Sequence, residues 1–200
     1  MSTTHRSEIE EGVRASLSRA GIGAAYHGLS LKDKGEDGKA LIEGLFSDRV
    51  RREIRMEGRP VIFSGIRHDG LELVKLVARG YHVNGVGCRV VPLVRLRGLL
   101  ANLDEREYIE GCKVLVIQNF QTEKPDCPLT PYATEEVAAY IRERLEGNQS
   151  VWLHCPTRFQ EGPSYLPVTS ILSWWNAEFA TWLYARAVKV RFADDGVTVT

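Results

Sequence analysis

Val61 to Glu72 read VIFSGIRHDGLE, an apolar run followed by Gly65 and Gly70 in a G-x-x-x-x-G spacing and then by the opening of a helix. A strand, a glycine-rich turn and a helix in that order form the backbone of a phosphate-binding loop, which continues with Lys and then Ser or Thr. Leu71 and Glu72 hold those two positions. In a working loop the Lys ammonium reaches the β and γ phosphates and the hydroxyl ligates Mg²⁺, so both replacements remove chemistry. Glu72 and Asp69 also add negative charge beside an anion site. Two unit charges about 4 Å apart interact by roughly 4 kcal/mol at an effective dielectric of 20. Deleting one attraction and adding one repulsion therefore lowers affinity by several orders of magnitude.

A second chemical position fails in the same way. The apolar strand Lys113 to Ile117 ends in Gln118-Asn119, where a phosphate-loop ATPase places an Asp that holds Mg²⁺ and a Glu that polarises water. Both amides are near-isosteric with those acids and uncharged, so the turn keeps its shape while neither residue serves as metal ligand or general base. Gly65 and Gln118 are expected side by side at one edge of the sheet. No catalytic residue, cofactor or metal is assigned.

The elements around these positions follow from periodicity. Apolar runs at 61–63, 88–94, 113–117, 150–155 and 187–192 read as buried strands, and helical spacing recurs at 71–78, 93–103, 134–145 and 171–184. This alternation predicts an α/β, three-layer, P-loop NTPase-like (AAA+/RecA-like) fold with a mainly parallel five-stranded sheet and right-handed crossovers. Asp195-Gly196 marks a turn into a short terminal hairpin strand. Upstream, Ser7 caps a helix to about Ala20, a polar arm follows, and one helix carries Ala40, Leu41, Leu45, Phe46, Val50 and Ile54 to Gly58. The expected organisation is an N-terminal helix and arm over 1–36 and a degenerate ATPase-like core over 37–200.

Composition bounds the partners. Lys plus Arg and Asp plus Glu are 26 each in 200 residues, so no global field draws in nucleic acid and any such binding needs a local patch. Cys88, Cys112, Cys127 and Cys155 lie far apart without a metal-ligand spacing, which fits reduced cysteines in a cytoplasmic protein. No apolar stretch is long enough for a membrane span, and the polar, acidic start is unlike a signal peptide.

In order and pattern, residues 20–192 resemble the AAA+ domain of the DnaC/DnaI-type replicative helicase loaders and their IstB-like relatives. Residues 20–31, AGIGAAYHGLSL, are similar to the family's opening segment; RPVIFSGIRHDGLELVKLVARGYHVNGVGCRVVPL follows the phosphate-loop strand, its helix and the second strand; DEREYIEGCKVLVIQNF resembles the stretch that ends in an acidic pair; and SVWLHCPTRF stands where the family has its sensor strand. The family's most specific residues are absent here, and only eight residues follow the last strand, so the helical lid subdomain of many AAA+ sites is expected to be missing. The resemblance implies a scaffold and a partner surface, with a replicative helicase or an active ATPase as the partner, DNA as a second candidate, and a phage or other mobile element as the source. It does not carry over ATP turnover.

Other residues admit two readings. Arg49, Arg51, Arg52, Arg55 and Arg59 concentrate positive charge on the helix before the first core strand; they form either a phosphate- or acidic-partner patch or a solvated face paired with Glu43, Asp48, Glu53 and Glu57. Ile171, Trp175, Phe179 and Trp182 share a helical face suited to packing on the sheet, which points Trp174 elsewhere as a candidate interface residue. His154 and Cys155 are neighbours on a strand and so should face opposite sides, which argues against a Cys-His nucleophile. The competing reading is a divergent ATPase that draws charge from Arg67, Lys75 or a neighbouring subunit and metal ligands from Asp69 or Glu72. A third is a structural subunit akin to Walker-less recombination paralogues.

Overall fold

The computed structural model describes residues 3–65, 67–120, 131–156 and 177–200; Cys127, Thr157, Ile171, Trp174 and Trp175 lie outside the described residues. Six strands form one sheet: β1 (Val61–Ser64), β2 (Cys88–Pro92), β3 (Val114–Gln118), β4 (Ser150–Cys155), β5 (Val188–Ala193) and β6 (Gly196–Val199). Their order is β2-β3-β4-β1-β5-β6. The five expected strands are all parallel, and the terminal hairpin strand joins β5 antiparallel. Crossovers between parallel strands run through α4 (Gly70–Val83), α5 (Leu93–Ala101), α6 (Leu103–Glu110), α7 (Pro131–Glu146) and α8 (Ala177–Arg186), preceded by α1 (Thr3–Arg19), α2 (Gly35–Leu45) and α3 (Asp48–Glu57).

Period-2 alternation divides the interior into two layers. On one face Phe63, Val90, Val116, Trp152 and Val190 pack against α4 and the N-terminal elements. On the other, Ile62, Val91, Leu115, Ile117 and Leu153 pack against α5 to α8. Leu17, Ala20, Ile22 and Leu31 are buried in the first layer together with Leu73 and Val77 of α4. The chain after α1 also seals the outer edge of β2, whose unpaired amides would otherwise invite another strand. Val90 N–H donates to the Ala20 carbonyl at 2.8 Å, and Cys88 N–H donates to His82 Nδ1 at 3.3 Å. Gly21 sits at φ +77°, where any Cβ would overlap the Val90 carbonyl oxygen.

Two expected helices are each broken in two. The helix through Ala40 and Ile54 stops at Leu45 and restarts at Asp48, because Ser47 adopts an extended ψ of 146° and its hydroxyl donates back to the Gly44 carbonyl. The helix of 93–103 ends at Ala101, and Asn102 caps a new helix by accepting from the amides of Asp104 and Glu105. The aromatic face expected on α8 is met in part. Phe179 is buried with Ala180 and Leu183, whereas Trp182 is only half-buried and lies alongside Phe179 with Arg186 over its ring.

Candidate functional site at the carboxyl edge of the sheet

Strand β1 delivers its glycine turn to the carboxyl edge between β4 and β5. Gly65 N–H donates to the Cys155 carbonyl at 3.2 Å, and Phe120 N–H, just past β3, donates to the His154 carbonyl at 2.8 Å. Gly65 and Gln118 therefore share the carboxyl edge but are not neighbours. Strand β4 lies between them, so His154 and Cys155 border each position. The expectation of side-by-side placement is corrected by this strand order.

The two loop glycines have packing roles of their own. Gly65 lies at φ +137°, and a Cβ there would overlap the Phe192 carbonyl oxygen; a Cβ on Gly70 would stand 3.0 Å from the Phe192 ring. The G-x-x-x-x-G spacing thus serves the close approach of the loop to β5.

The charges of the loop are consumed within the protein. Arg67 donates two hydrogen bonds to Asp69, at 2.9 and 2.7 Å, and pairs with Asp37 of α2 at 2.8 Å. The Arg67 guanidinium holds the Asp69 carboxyl below the usual carboxylate range. Glu72 accepts a hydrogen bond from Lys34 at 2.7 Å. Lys34 ends a 3-10 turn at Leu31–Lys34, which Ser30 and Asp33 close with reciprocal capping hydrogen bonds. Leu71 is half-buried and His68 exposed. The segment from Ser30 to Asp37 therefore supplies one cation and one anion that cancel loop residues of opposite sign.

Around the strand ends, the α4 face of the sheet turns polar. Gln118 and His154 are buried, 9 % and 4 % exposed, and the alternation of β3 and β4 puts both on the side of Val116 and Trp152. The Asn119 amide approaches His154 Nδ1 at 3.5 Å; Asn119 itself is exposed and left-handed at φ +52°, a conformation asparagine tolerates. Burial, and secondarily the ammonium of Lys75, lowers the His154 pKa to about 4, so the ring is neutral at pH 7. Lys75 sits 4.9 Å over the Tyr26 ring, and Arg79, one turn further along α4, holds the His27 carbonyl with two hydrogen bonds. Cys155 faces the other layer, where burial pushes its thiol well up. The histidine and the cysteine thus face apart, as strand geometry requires. Among the described residues no group of three or more His, Cys, Asp or Glu is placed to hold a metal ion.

The remaining candidate residues lie elsewhere. Arg49, Arg52 and Arg55 are exposed along α3, and Arg51 is half-buried. Arg49 pairs with Glu53 at 2.9 Å, and Glu53 also holds Arg59. Arg52 and Arg55 have no carboxylate partner among the described residues. These arginines belong to a different surface from the glycine turn. Sequence reasoning missed Lys34 and Asp37, because no local pattern marks a long-range ion pair.

The fold can be compared with solved structures. No family model matches the chain, and no curated protein matches its sequence. The crystal structure of the DnaC helicase loader superposes over 86% of this chain and 100% of its own, with a TM-score of 0.59 and 15% identity. The crystal structure of DnaI covers 86% of this chain and 91% of its own, with a TM-score of 0.55 and 14% identity. The chain shares the fold of these two structures. At this identity the likeness is one of architecture, and it matches the resemblance read from motif order. No helix among the described residues is long and apolar enough to cross a membrane.

Proposed function

We propose that this protein is a non-catalytic, helicase-loader-like accessory factor of DNA replication or recombination that works by docking onto a protein partner, a replicative helicase or an active ATPase. The observation that carries this reading is the cancellation of the loop charges: Arg67 is held by Asp69 and Asp37, and Glu72 by Lys34. A triphosphate with Mg²⁺ needs an uncompensated cation and an acidic metal ligand at these positions. Leu71, Gln118 and Asn119 supply neither. The arm over residues 7–31 is the proposed contact, attached to a core that no longer cycles, and a phage or mobile-element source fits the same reading.

Co-purification from the native host tests it. Recovery of a stoichiometric helicase or ATPase that is lost on deleting residues 1–19 supports the proposal, and recovery of the protein without a partner argues against it. DNA is a second candidate ligand through Arg49, Arg52 and Arg55. Replacing the three with Gln should leave the melting temperature within about 2 °C, since exposed ion pairs contribute little. If the patch neutralises phosphates, the same change lowers the salt slope of single-stranded DNA binding by about 0.7 for each phosphate left without its arginine. Unchanged binding at low salt would remove the patch from consideration.

A further inference from the structure

The two edges of the sheet are finished differently. At β2 the outward amides of Cys88 and Val90 donate to His82 and to the Ala20 carbonyl, so that edge is closed. The other edge is β6, and its register shows which groups it leaves open. Lys189 and Thr200 exchange both of their backbone hydrogen bonds at 2.8 Å. Such pairs recur at every second residue of an antiparallel ladder, so Arg191 and Thr198 form the next one. The N–H and C=O groups of Val197 and Val199 therefore point away from β5. None of them has a hydrogen-bond partner among the described residues.

Edges of this kind are usually blunted by Lys, Pro, a bulge or an inward-pointing charge. Gly196–Val199 has none of these: it reads GVTV and pairs with β5 without a break. Val197 and Val199 pack into the layer under α2, and Thr198 is exposed on the opposite face. The nearest charges in sequence, Asp194 and Asp195, lie in the turn before the strand. In a two-fold antiparallel pair centred on Thr198, Val197 of each copy meets Val199 of the other, and every outward group finds a partner. The same geometry sets the two acidic turns about 20 Å apart, at about 3.4 Å per residue, well beyond the Debye length of about 8 Å. Parallel pairing would bring them side by side.

We propose that β6 is a self-association edge, through which two copies of this chain join their six-stranded sheets into one by antiparallel β6–β6 pairing. Both outer edges of the joined sheet are then β2, already sealed by His82 and Ala20, so the assembly closes at two. The inference does not rest on the docking function proposed above. Ala20 and Gly21 of the arm lie at the opposite edge of the sheet, clear of this joint.

A joint of one short strand is small, so the dimer is expected in the micromolar range. Sedimentation velocity of the full chain between about 1 and about 100 μM, with amide hydrogen exchange at both ends of that range, tests it. The expected result is a shift from monomer to dimer, with the Val197 and Val199 amides slowing as the dimer forms while the Thr198 amide, bonded to β5, keeps its rate. Thr198 meets its own copy about 4.5 Å away across the two-fold axis. Thr198→Lys should therefore raise the dissociation constant about tenfold, since like charges directly opposite repel. Thr198→Glu should do the same, and an equimolar mixture of the two variants should recover the dimer. The side chain is exposed, so both variants should fold. A chain that stays monomeric throughout the range, a dimer whose Val197 and Val199 amides exchange as they do in the monomer, or a dimer that Thr198→Lys leaves unchanged overturns the proposal.

Discussion

His154 carries the largest consequence for a single residue. Its pKa falls from 6.5 to about 4 in the fold because burial penalises the imidazolium, with Lys75 adding repulsion. The unfolded chain therefore binds the extra proton first. Stability is fully present above about pH 6.5, declines as pH falls toward 4, and levels off below that, for a total loss of about 3 kcal/mol from this residue. Burial lowers the His82 pKa as well, so it acts with the same sign. Chemical denaturation from pH 7 to pH 4 should show this decline, and His154→Phe should flatten it; an unchanged slope would contradict the placement of the ring. The glycines offer a test with a different readout. Gly65→Ala should cost about 2–4 kcal/mol, because it forces a left-handed φ and an overlap with the Phe192 carbonyl. Gly70→Ala meets only the tiltable Phe192 ring and should cost about 1 kcal/mol. Equal costs in urea melts would refute the packing role given to Gly65.

Among the elements, the segment from Ser30 to Asp37 and helix α6 are the least expected. Lys34 and Glu72 are each about a quarter exposed, so their pair contributes at most about 1 kcal/mol. Glu72→Lys should lower the melting temperature by about 2–4 °C, and adding Lys34→Glu should restore it. No restoration in the double variant would mean that the two side chains do not meet in solution. Helix α6 ends on Arg144, whose guanidinium donates to the Ile109 and Cys112 carbonyls at 2.8 Å from a fully buried position on α7. Arg144→Leu strands those carbonyls and should cost about 2–4 kcal/mol, with amide exchange rising first at residues 103–112. Much of this level was legible in the sequence. The strands were readable because uninterrupted apolar runs such as Val151 to Leu153 satisfy only a doubly covered sheet. The breaks at Ser47 and Asn102 were not, because the helical period continues across each and the caps appear only once the backbone turns. The Lys34 and Asp37 contacts were invisible for a plainer reason: they join residues more than 25 positions apart.

For the molecule as a whole, strand order decides how far the loader comparison reaches. With β4 between β1 and β3, the glycine turn, the His154 strand end and Gln118 all reach one edge, as a nucleotide site in this fold requires. Arg67 and Glu72 are neutralised from within, and Gln118 and Asn119 carry no charge, which is the support for the docking role proposed above. The reading that follows is a framework kept for docking. Phosphate release from Mg²⁺-ATP under single-turnover conditions, with protein in excess, tests that claim most directly. The account predicts no release above the protein-free rate, with or without DNA. Mg²⁺-dependent release that disappears on replacing Asp69 or Glu72 with Ala would contradict it.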